Sequence, residues 1–234
     1  MVQKNLEEVR QRIEAACRRV QRDPKEVTLV AVSKTKPISM LQEAYDGGAR
    51  DFGENKVQEL CEKSNLLPGD IRWHMIGHLQ RNKVKQVLPH TVLIHSVDSL
   101  RLAEQIETEA AKLGMTKDIL LEVNVAEEES KYGFHLDETQ SAIEKIAAFP
   151  HLKIKGLMTI APFVENPEEN RPVFKKLYEF YVDMGRKNID NVSMSVLSMG
   201  MTGDFEVAIE EGATLVRVGT GIFGTRYKIG ESEG

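Results

Sequence analysis

The sequence lacks the signals of an exported, membrane-bound or disulfide-stabilised protein. Its two cysteines, Cys17 and Cys61, share no CxxC spacing, and we expect reduced thiols with no metal or redox role. No apolar run reaches the roughly 20 residues that a membrane-spanning helix requires. The first 22 residues are charged throughout and lack the apolar stretch of a signal peptide. The sequence therefore predicts a cytoplasmic protein with no membrane partner.

The chain also lacks an excess of basic residues. It has 31 Lys and Arg against 36 Asp and Glu, which gives a formal net charge of -5. Proteins that bind a nucleic-acid backbone depend on clustered positive charge, so we expect no nucleic-acid partner. Hydrophobic residues make up 41% of the 234 residues, enough to build an ordinary globular core.

What the chain does have is a strand–helix alternation from end to end. A helix over 3–22 comes first, because Leu6, Val9 and Ile13 recur at helical spacing. Eight short apolar segments follow, each predicted to be a strand, and helices are predicted between them. The strands are predicted at 27–32, 50–53, 72–77, 92–97, 119–125, 154–160, 193–197 and 214–218, and the helices near 37–47, 56–64, 81–88, 99–113, 136–148, 168–187 and 204–211.

This alternation predicts one α/β domain over residues 1–234, a (β/α)8 TIM-type barrel with an extra N-terminal helix. No linker or composition shift marks a boundary within the chain. An open doubly wound sheet is the competitor, and it would be expected to carry a glycine-rich turn after the first strand. Ser33-Lys34-Thr35-Lys36 stands there instead, which favours the barrel.

Lys34 is the most informative residue, because it directly follows the first apolar strand. A lysine at the end of a core strand can lose its proton through desolvation and attack an aldehyde or ketone to form an imine. The alternative is a surface lysine just past a strand end. Lys36 precedes Pro37 and is interpreted either as a nearby positive charge, which makes it a possible pocket residue, or as a solvated side chain.

The ends of the last two strands are rich in glycine and hydroxyl groups. Gly219, Thr220 and Gly221 follow the eighth strand, and Ile222 and Phe223 could open a short helix. Such a turn suits an anion, and the final loops of this fold often bind phosphate. The alternative is that these glycines only make turns. Together with Lys34, they indicate the two features that a pyridoxal phosphate site requires: a lysine that can form an imine and a turn that can bind the phosphate.

Three further side chains are candidates for the same pocket. Arg217 ends the eighth strand and is predicted to face the pocket; the alternative is an ion pair with Glu210 or Glu211. His74 and His78 straddle a strand end without an evident third ligand, so no metal site is predicted. His74 is interpreted as a hydrogen-bonded pocket or core residue, and Met201 as a side chain that flanks the pocket.

Six motifs run in order over almost the whole chain. They are Val30-Ala31-Val32-Ser33-Lys34-Thr35-Lys36-Pro37, Phe52-Gly53-Glu54-Asn55, Trp73-His74-Met75-Ile76-Gly77-His78-Leu79-Gln80, Gly156-Leu157-Met158, Leu197-Ser198-Met199-Gly200-Met201 and Val216-Arg217-Val218-Gly219-Thr220. With them the chain resembles the pyridoxal phosphate homeostasis protein family, small barrel proteins related to the N-terminal domain of alanine racemases (fold type III). Each motif is only moderately specific, and the resemblance rests on all six together.

The resemblance implies a residue-by-residue site for pyridoxal 5'-phosphate (PLP). It implies that Lys34 holds PLP as an internal imine, that Asn55 lies beside the cofactor and that Arg217 lies near its pyridine ring. It also implies phosphate contacts from Ser198, Gly200, Gly219 and Thr220. The family's segment after the seventh strand more often reads serine-leucine-glycine-methionine-serine. Here Ser198-Met199-Gly200-Met201-Thr202 keeps that pattern with conservative changes.

Three functions are compared for this site: a PLP-binding homeostasis protein, a PLP-dependent amino-acid racemase, and a Schiff-base aldolase. Racemases of this fold carry a further C-terminal β domain that supplies a tyrosine base, and the sequence ends shortly after Thr220. The sequence places none of Tyr132, Tyr227 and His74 opposite Lys34, and it shows no carboxylate or tyrosine set for sugar cleavage. We therefore expect a monomeric PLP carrier without a dedicated reaction, with weak side activity at most and PLP-dependent apoenzymes as recipients.

Overall fold

The computed structural model describes residues 1–128 and 132–225, which form a closed barrel of eight parallel strands in sequential order. The strands are β1 Thr28–Val32, β2 Asp51–Glu54, β3 Arg72–Met75, β4 Leu93–Val97, β5 Lys117–Glu122, β6 Leu152–Met158, β7 Val192–Ser198 and β8 Leu215–Val218. The helices are α1 Val2–Arg19, α2 Ile38–Asp46, α3 Val57–Leu66, α4 Val84–Val87, α5 Leu100–Lys112, α6 Leu136–Ala147, α7 Arg171–Arg186, α8 Phe205–Glu210 and α9 Thr220–Phe223. The predicted barrel with an extra N-terminal helix is confirmed.

Two apolar clusters stabilise the barrel. The larger lies between the strands and the surrounding helices. The smaller is a plug of side chains that face inward from five strands: Val30, Leu93, Leu120, Met158 and Leu215. Side chains alternate along a strand, so the residue two positions after each plug residue faces inward one layer nearer the C-terminal end. This alternation brings Val32, His95, Glu122 and Arg217 into the barrel interior.

The close approach of β6 and β7 requires glycine at position 156. Gly156 has φ +151°, and a Cβ atom there would lie 1.7 Å from the carbonyl oxygen of Val196. The β6–β7 register shifts between Ile154 and Gly156, which is where the extra room is needed. Any side chain at this position would separate the two strands.

Helix α1 covers the outside of the barrel beside α8 and α9. Its buried face is Leu6, Val9, Ile13, Ala16 and Cys17, as the helical spacing predicts. On the outer face, Arg19 pairs with Glu206 at 3.0 Å and with Glu210 at 2.6 Å. Asn5 Nδ2 donates to the carbonyl of Ile222 at 2.9 Å, which ties α1 to the element that follows β8.

Strands β5 and β6 begin two residues before their predicted starts, α1 ends three residues before its predicted end, and three further helices differ from the sequence prediction. The helix predicted over 81–88 is a single α turn, α4, between two short 3-10 turns, and Pro89 lies in the second of them. The helix predicted over 168–187 begins at Arg171, after a 3-10 turn that Pro167 opens. Helix α9 begins at Thr220, two residues before the predicted start. Within the described ranges, no helix is both long and apolar enough to cross a bilayer.

Candidate functional site

A cavity of about 450 Å³ lies at the C-terminal ends of the strands, within the usual size range of small-molecule sites. Six of the eight strands or the loops that follow them contribute to its wall. The lining residues are Val32, Lys34, Asn55, Ile76, Ile160, Pro162, Phe163, Val164, Asn170, Met201, Thr202, Gly203, Asp204, Arg217, Gly219 and Thr220.

Lys34 is the one lysine among the described residues that line the cavity. It follows β1 and is half-buried. Within the part of the chain that the structure describes, its ammonium makes no hydrogen bond or ion pair. An amine that no neighbour engages is available to react with a ligand in the cavity.

A buried ionic cluster fixes the short segment that carries Lys34. Lys63 Nζ lies 2.7 Å from the Ser33 carbonyl oxygen, 2.7 Å from Glu54 Oε1 and 2.7 Å from Glu59 Oε1. The Ser33 hydroxyl also donates to Glu54, and the amide of Thr35 donates to Glu59. Thr35 has φ +63°, a conformation uncommon for residues other than glycine. These bonds hold both residues next to Lys34.

The loops after β7 and β8 offer backbone N–H donors to the wall. The amide groups of Thr202, Gly203 and Thr220 have no acceptor among residues 1–128 and 132–225. Neighbouring amides are already used, because Thr202 Oγ1 accepts from Gly219 at 3.2 Å and from Gly221 at 3.3 Å. Backbone N–H groups grouped in a turn are a common anion site.

Lys36 binds the C-terminal end of helix α9. Its Nζ donates to the carbonyl oxygens of Gly224 at 2.9 Å, Thr225 at 3.1 Å and Phe223 at 3.3 Å. Cations at a helix C-terminus satisfy carbonyls that have no partner within the helix. Lys36 is therefore placed on the α9 carbonyls, and it does not line the cavity as the sequence analysis had suggested.

Arg217 is almost fully buried at the base of the cavity. One Nη donates to the Ser198 hydroxyl and the other to the Thr159 carbonyl at 2.8 Å. Burial lowers the pKa of the Arg217 guanidinium to about 10, against the opposing fields of Glu122 and Asp204. Burial in turn raises the pKa of the Glu122 carboxyl to about 7. The pocket thus has a cation and a half-titrated acid near its floor.

The alternative pairing of Arg217 with Glu210 or Glu211 is wrong. Those carboxylates lie 2.7 Å and 2.8 Å from Arg171 at the start of α7. They are on the outer side of the barrel, whereas the alternation along β8 directs Arg217 inward from the layer of Leu215.

The structure brings together six of the predicted residues and leaves out four. Lys34, Asn55, Met201, Arg217, Gly219 and Thr220 line the cavity, and Lys36, His74, Ser198 and Gly200 do not. Ser198 lies inside the barrel, where its hydroxyl contacts Arg217 and His95. The placement of Ser198 therefore differs from the predicted phosphate contact, because its hydroxyl is already engaged.

Gly200 and His74 have structural partners of their own. Gly200 has φ +94°, and a Cβ atom there would lie 2.6 Å from Ala208 Cβ. It permits the turn that leads from β7 to α8. His74 is bonded to His95 and Asp51 in the barrel interior. It is a hydrogen-bonded core residue, one of the two interpretations that the sequence left open.

Sequence reasoning missed the residues that connect the two loops over the cavity. Asn170 Nδ2 donates to Asp204 Oδ2 at 2.8 Å and to the Pro162 carbonyl at 2.9 Å. Asp204 Oδ1 accepts from the amide of Met201 at 2.7 Å. Asp204 stands at the start of the helix predicted over 204–211, and an aspartate in that position is a recognisable signal of a helix start. Asn170 gives no such signal, because only the fold brings it next to Asp204.

The described residues contain no group of three metal-ligating side chains that could hold an ion. His78, one of the two histidines considered for such a site, lies 3.0 Å from Asp98 and stacks on Tyr132 at 3.9 Å. Tyr227 lies outside the described residues.

The donors in the wall fit a ligand that has both an aldehyde and a phosphate. An amine without a partner can form a carbon–nitrogen bond with an aldehyde. The three backbone N–H groups without an acceptor among the described residues match phosphate oxygens. Arg217 adds a donor-only group for a ring acceptor.

Comparisons with known proteins agree with this chemistry. The family model described as alanine racemase, N-terminal domain, matches residues 5–227. The pyridoxal phosphate homeostasis protein of Aquifex aeolicus is 46% identical over 222 residues, which cover 94% of this chain and 96% of that protein.

Solved structures share the fold of this chain. PipY of Synechococcus elongatus PCC7942, solved with PLP bound, is 33% identical with a TM-score of 0.82, over 96% of this chain and 100% of that one. Alanine racemase of Clostridium difficile 630 shares the fold, with 14% identity and a TM-score of 0.75. The match covers 97% of this chain and 57% of the racemase.

Proposed function

The chain belongs to the pyridoxal phosphate homeostasis protein family, and from that premise we propose that it binds PLP covalently through Lys34 to maintain the intracellular supply of the cofactor. One observation carries the proposal: the amine of Lys34 and three backbone N–H groups, none with a partner among residues 1–128 and 132–225, line the same cavity as Arg217. In the same proposal, residues 1–234 form one domain that acts as a cytoplasmic monomer and passes PLP to apoenzymes.

When bound, the cofactor supplies an electrophilic aldehyde carbon, a pyridine ring and a phosphate. Lys34 Nζ is the group that would attach to the aldehyde carbon. The amides of Thr202, Gly203 and Thr220 would donate to the phosphate, together with the Thr220 hydroxyl. Arg217 would face the ring nitrogen; since a guanidinium can only donate, that nitrogen would stay unprotonated and the ring would be a weak electron sink.

A role without a dedicated reaction is supported by where the candidate acid–base groups lie. Racemisation by two bases needs a group opposite the lysine. Tyr132 stacks on His78 and is 57% exposed, and His74 is bonded inside the barrel. Of the described lining residues, Asp204 is the one carboxylate, and it is engaged by Asn170 and Met201.

The attachment is tested by reducing the PLP-loaded protein with borohydride. We expect a visible absorption band that disappears on reduction, and a pyridoxyl mass increase of one cofactor per chain on the peptide that contains Lys34. The unloaded protein, treated in the same way, is the control. Absence of the band after incubation with PLP would contradict covalent binding, and a label on another lysine would contradict the assignment to Lys34.

The absence of a dedicated reaction is tested by turnover. The loaded protein is incubated with each common amino acid, and racemisation is followed by chiral chromatography. We expect rates close to those of free PLP at the same concentration. Turnover far above that background, lost in Lys34→Ala, would show instead that the alternative, a racemase-like enzyme, is the better description.

A further inference from the structure

A chain of five polar side chains crosses the barrel interior beneath the cavity. Asp51 Oδ1 lies 3.0 Å from His74 Nε2, and His74 Nδ1 lies 2.8 Å from His95 Nε2. His95 Nδ1 lies 2.9 Å from Ser198 Oγ, which accepts a bond from Arg217. All five residues are buried. The chain begins at the first residue of β2 and ends at the floor of the cavity.

The two ends of this chain have opposite and fixed hydrogen-bonding character. Arg217 has donors only. Asp51 is held as an acceptor: burial would raise the pKa of its carboxyl, but hydrogen bonds from His74 and Arg72 outweigh that effect and lower it. The three groups between them can each donate or accept. A donor-only end and an acceptor-only end therefore impose one direction on every bond.

That direction determines where each proton lies. Ser198 accepts from Arg217, and the one partner left for its own proton is His95 Nδ1. His95 then carries its proton on Nε2 and donates to His74 Nδ1. His74 in turn carries its proton on Nε2 and donates to the Asp51 carboxylate. Each of the three middle groups, Ser198, His95 and His74, then donates one bond and accepts one, so none of them has an unsatisfied polar atom in this hydrogen-bond chain.

A charged His74 would break this arrangement. An imidazolium at position 74 would donate to His95 Nε2, and His95 would then donate from Nδ1 to Ser198. Ser198 would accept from both His95 and Arg217, and its own buried proton would have no acceptor among the described residues. Burial also lowers the pKa of His95 well below that of a free imidazole, so His95 stays neutral.

The hydrogen-bond chain stabilises the buried charge of Arg217, because this guanidinium has no ion-pair partner in the described part of the protein. A buried, uncompensated charge is strongly unfavourable. Glu122 is only half-titrated near neutral pH, and Asp204 is bonded to Asn170 and Met201. The polarised hydrogen bonds connect the guanidinium to the Asp51 carboxylate, which also pairs with Arg72 at the other end of the barrel interior.

We propose that His95, His74 and Asp51 are positioning residues, which hold the Arg217 guanidinium in one orientation through a one-way hydrogen-bond chain across the barrel. The tautomers follow from the hydrogen bonds of the protein alone. The consequence for the cofactor, that Arg217 is presented to the pyridine ring in a single orientation, rests on the proposed function.

The proton positions are tested on the unmodified full chain without cofactor. In nitrogen-15 NMR spectra of histidine-labelled protein at pH 8, we expect His74 and His95 both to be neutral with the proton on Nε2. A proton on Nδ1 of either residue, or an imidazolium at His74, would overturn the proposal. This measurement needs no variant and does not depend on whether PLP binds.

The link to Arg217 is tested with Asp51→Asn, using Asp70→Asn as the matched control. Asp70 pairs with Arg50, is largely exposed and makes no hydrogen bond to any of the five residues of the hydrogen-bond chain. In Asp51→Asn we expect mixed histidine tautomers and a dissociation constant for PLP raised about fivefold or more, typical of coupling between two sites. In Asp70→Asn the histidine tautomers and the dissociation constant for PLP should both match those of the wild type.

The outcomes separate the two proposals. If Asp51→Asn and Asp70→Asn give the same tautomers and the same PLP affinity, the positioning chain is refuted. If the wild type binds no PLP, the proposed function fails, while the wild-type tautomers still decide whether the one-way chain exists. If Asp51→Asn does not fold, those wild-type tautomers alone decide it.

Discussion

Replacing Lys34 with alanine should abolish covalent attachment of PLP, reducing the borohydride-fixed label from about one cofactor per chain to background. No other lysine lines the described part of the cavity, so no second amine is in place to substitute. The fold should survive, because Lys34 makes no hydrogen bond or ion pair there. We expect the free energy of unfolding to change by about 0.5 kcal/mol or less, as for ordinary surface substitutions. Peptide mass spectrometry and urea denaturation measure the two effects.

Lys36→Ala is the matched control, since it removes a lysine two residues away. Its ammonium is bonded to the carbonyls at the end of α9, so this variant should lose about 1 to 2 kcal/mol of stability. At saturating PLP it should still be labelled on Lys34 at full stoichiometry. A label that persists in Lys34→Ala and disappears in Lys36→Ala would show that Lys36, not Lys34, holds the cofactor.

Replacing Lys63 with methionine should lower the free energy of unfolding by about 3 to 5 kcal/mol, the cost of leaving one partner of a buried ion pair alone. The Glu54 side chain has no solvent exposure, and that of Lys63 is 7% exposed. Methionine keeps most of the volume but no charge, so the loss would come from the unpaired Glu54 carboxylate. Its second oxygen, Oε2, already lacks a hydrogen-bond partner within the described residues.

The pH dependence of Lys63→Met provides an internal check. Burial raises the pKa of the Glu54 carboxyl even with Lys63 present, although Lys63 and Ser33 oppose the shift. A folded-state pKa above the unfolded value means that the native protein binds the extra proton. Stability should therefore increase as the pH falls through the folded-state pKa, and this increase should be larger in the variant.

The double variant Glu54→Gln/Lys63→Met isolates the charge. This variant has neither the Glu54 carboxylate nor the Lys63 ammonium, so it should recover most of the stability lost in Lys63→Met, as measured by urea denaturation. A double variant no more stable than Lys63→Met would show that packing, and not the unpaired carboxylate, causes the loss. Because the same cluster holds Ser33 and Thr35, Lys63→Met should also weaken PLP attachment at Lys34.

The sequence by itself determined the repeating architecture and the position of its nucleophile. Strand and helix periodicity is local, so Leu6, Val9 and Ile13 suffice to predict α1, and β-branched runs suffice to predict buried strands. Parallel strands in a closed barrel all end at the same face. That rule alone brings Lys34 to the same cavity as Arg217 and Thr220.

Tertiary structure alone decided which polar groups are free and which are engaged. Lys34 and Lys36 look alike in sequence, yet the carbonyls at the end of α9 accept bonds from Lys36, whereas Lys34 has no partner in the part of the chain that the structure describes. Ser198 was predicted to contact phosphate, but strand alternation turns it inward to Arg217 and His95, while Thr202 and Gly203 supply the spare amides. His74, His95 and Asp51 stand far apart along the chain. Their contact depends on the register of neighbouring strands, which no local pattern of residues specifies.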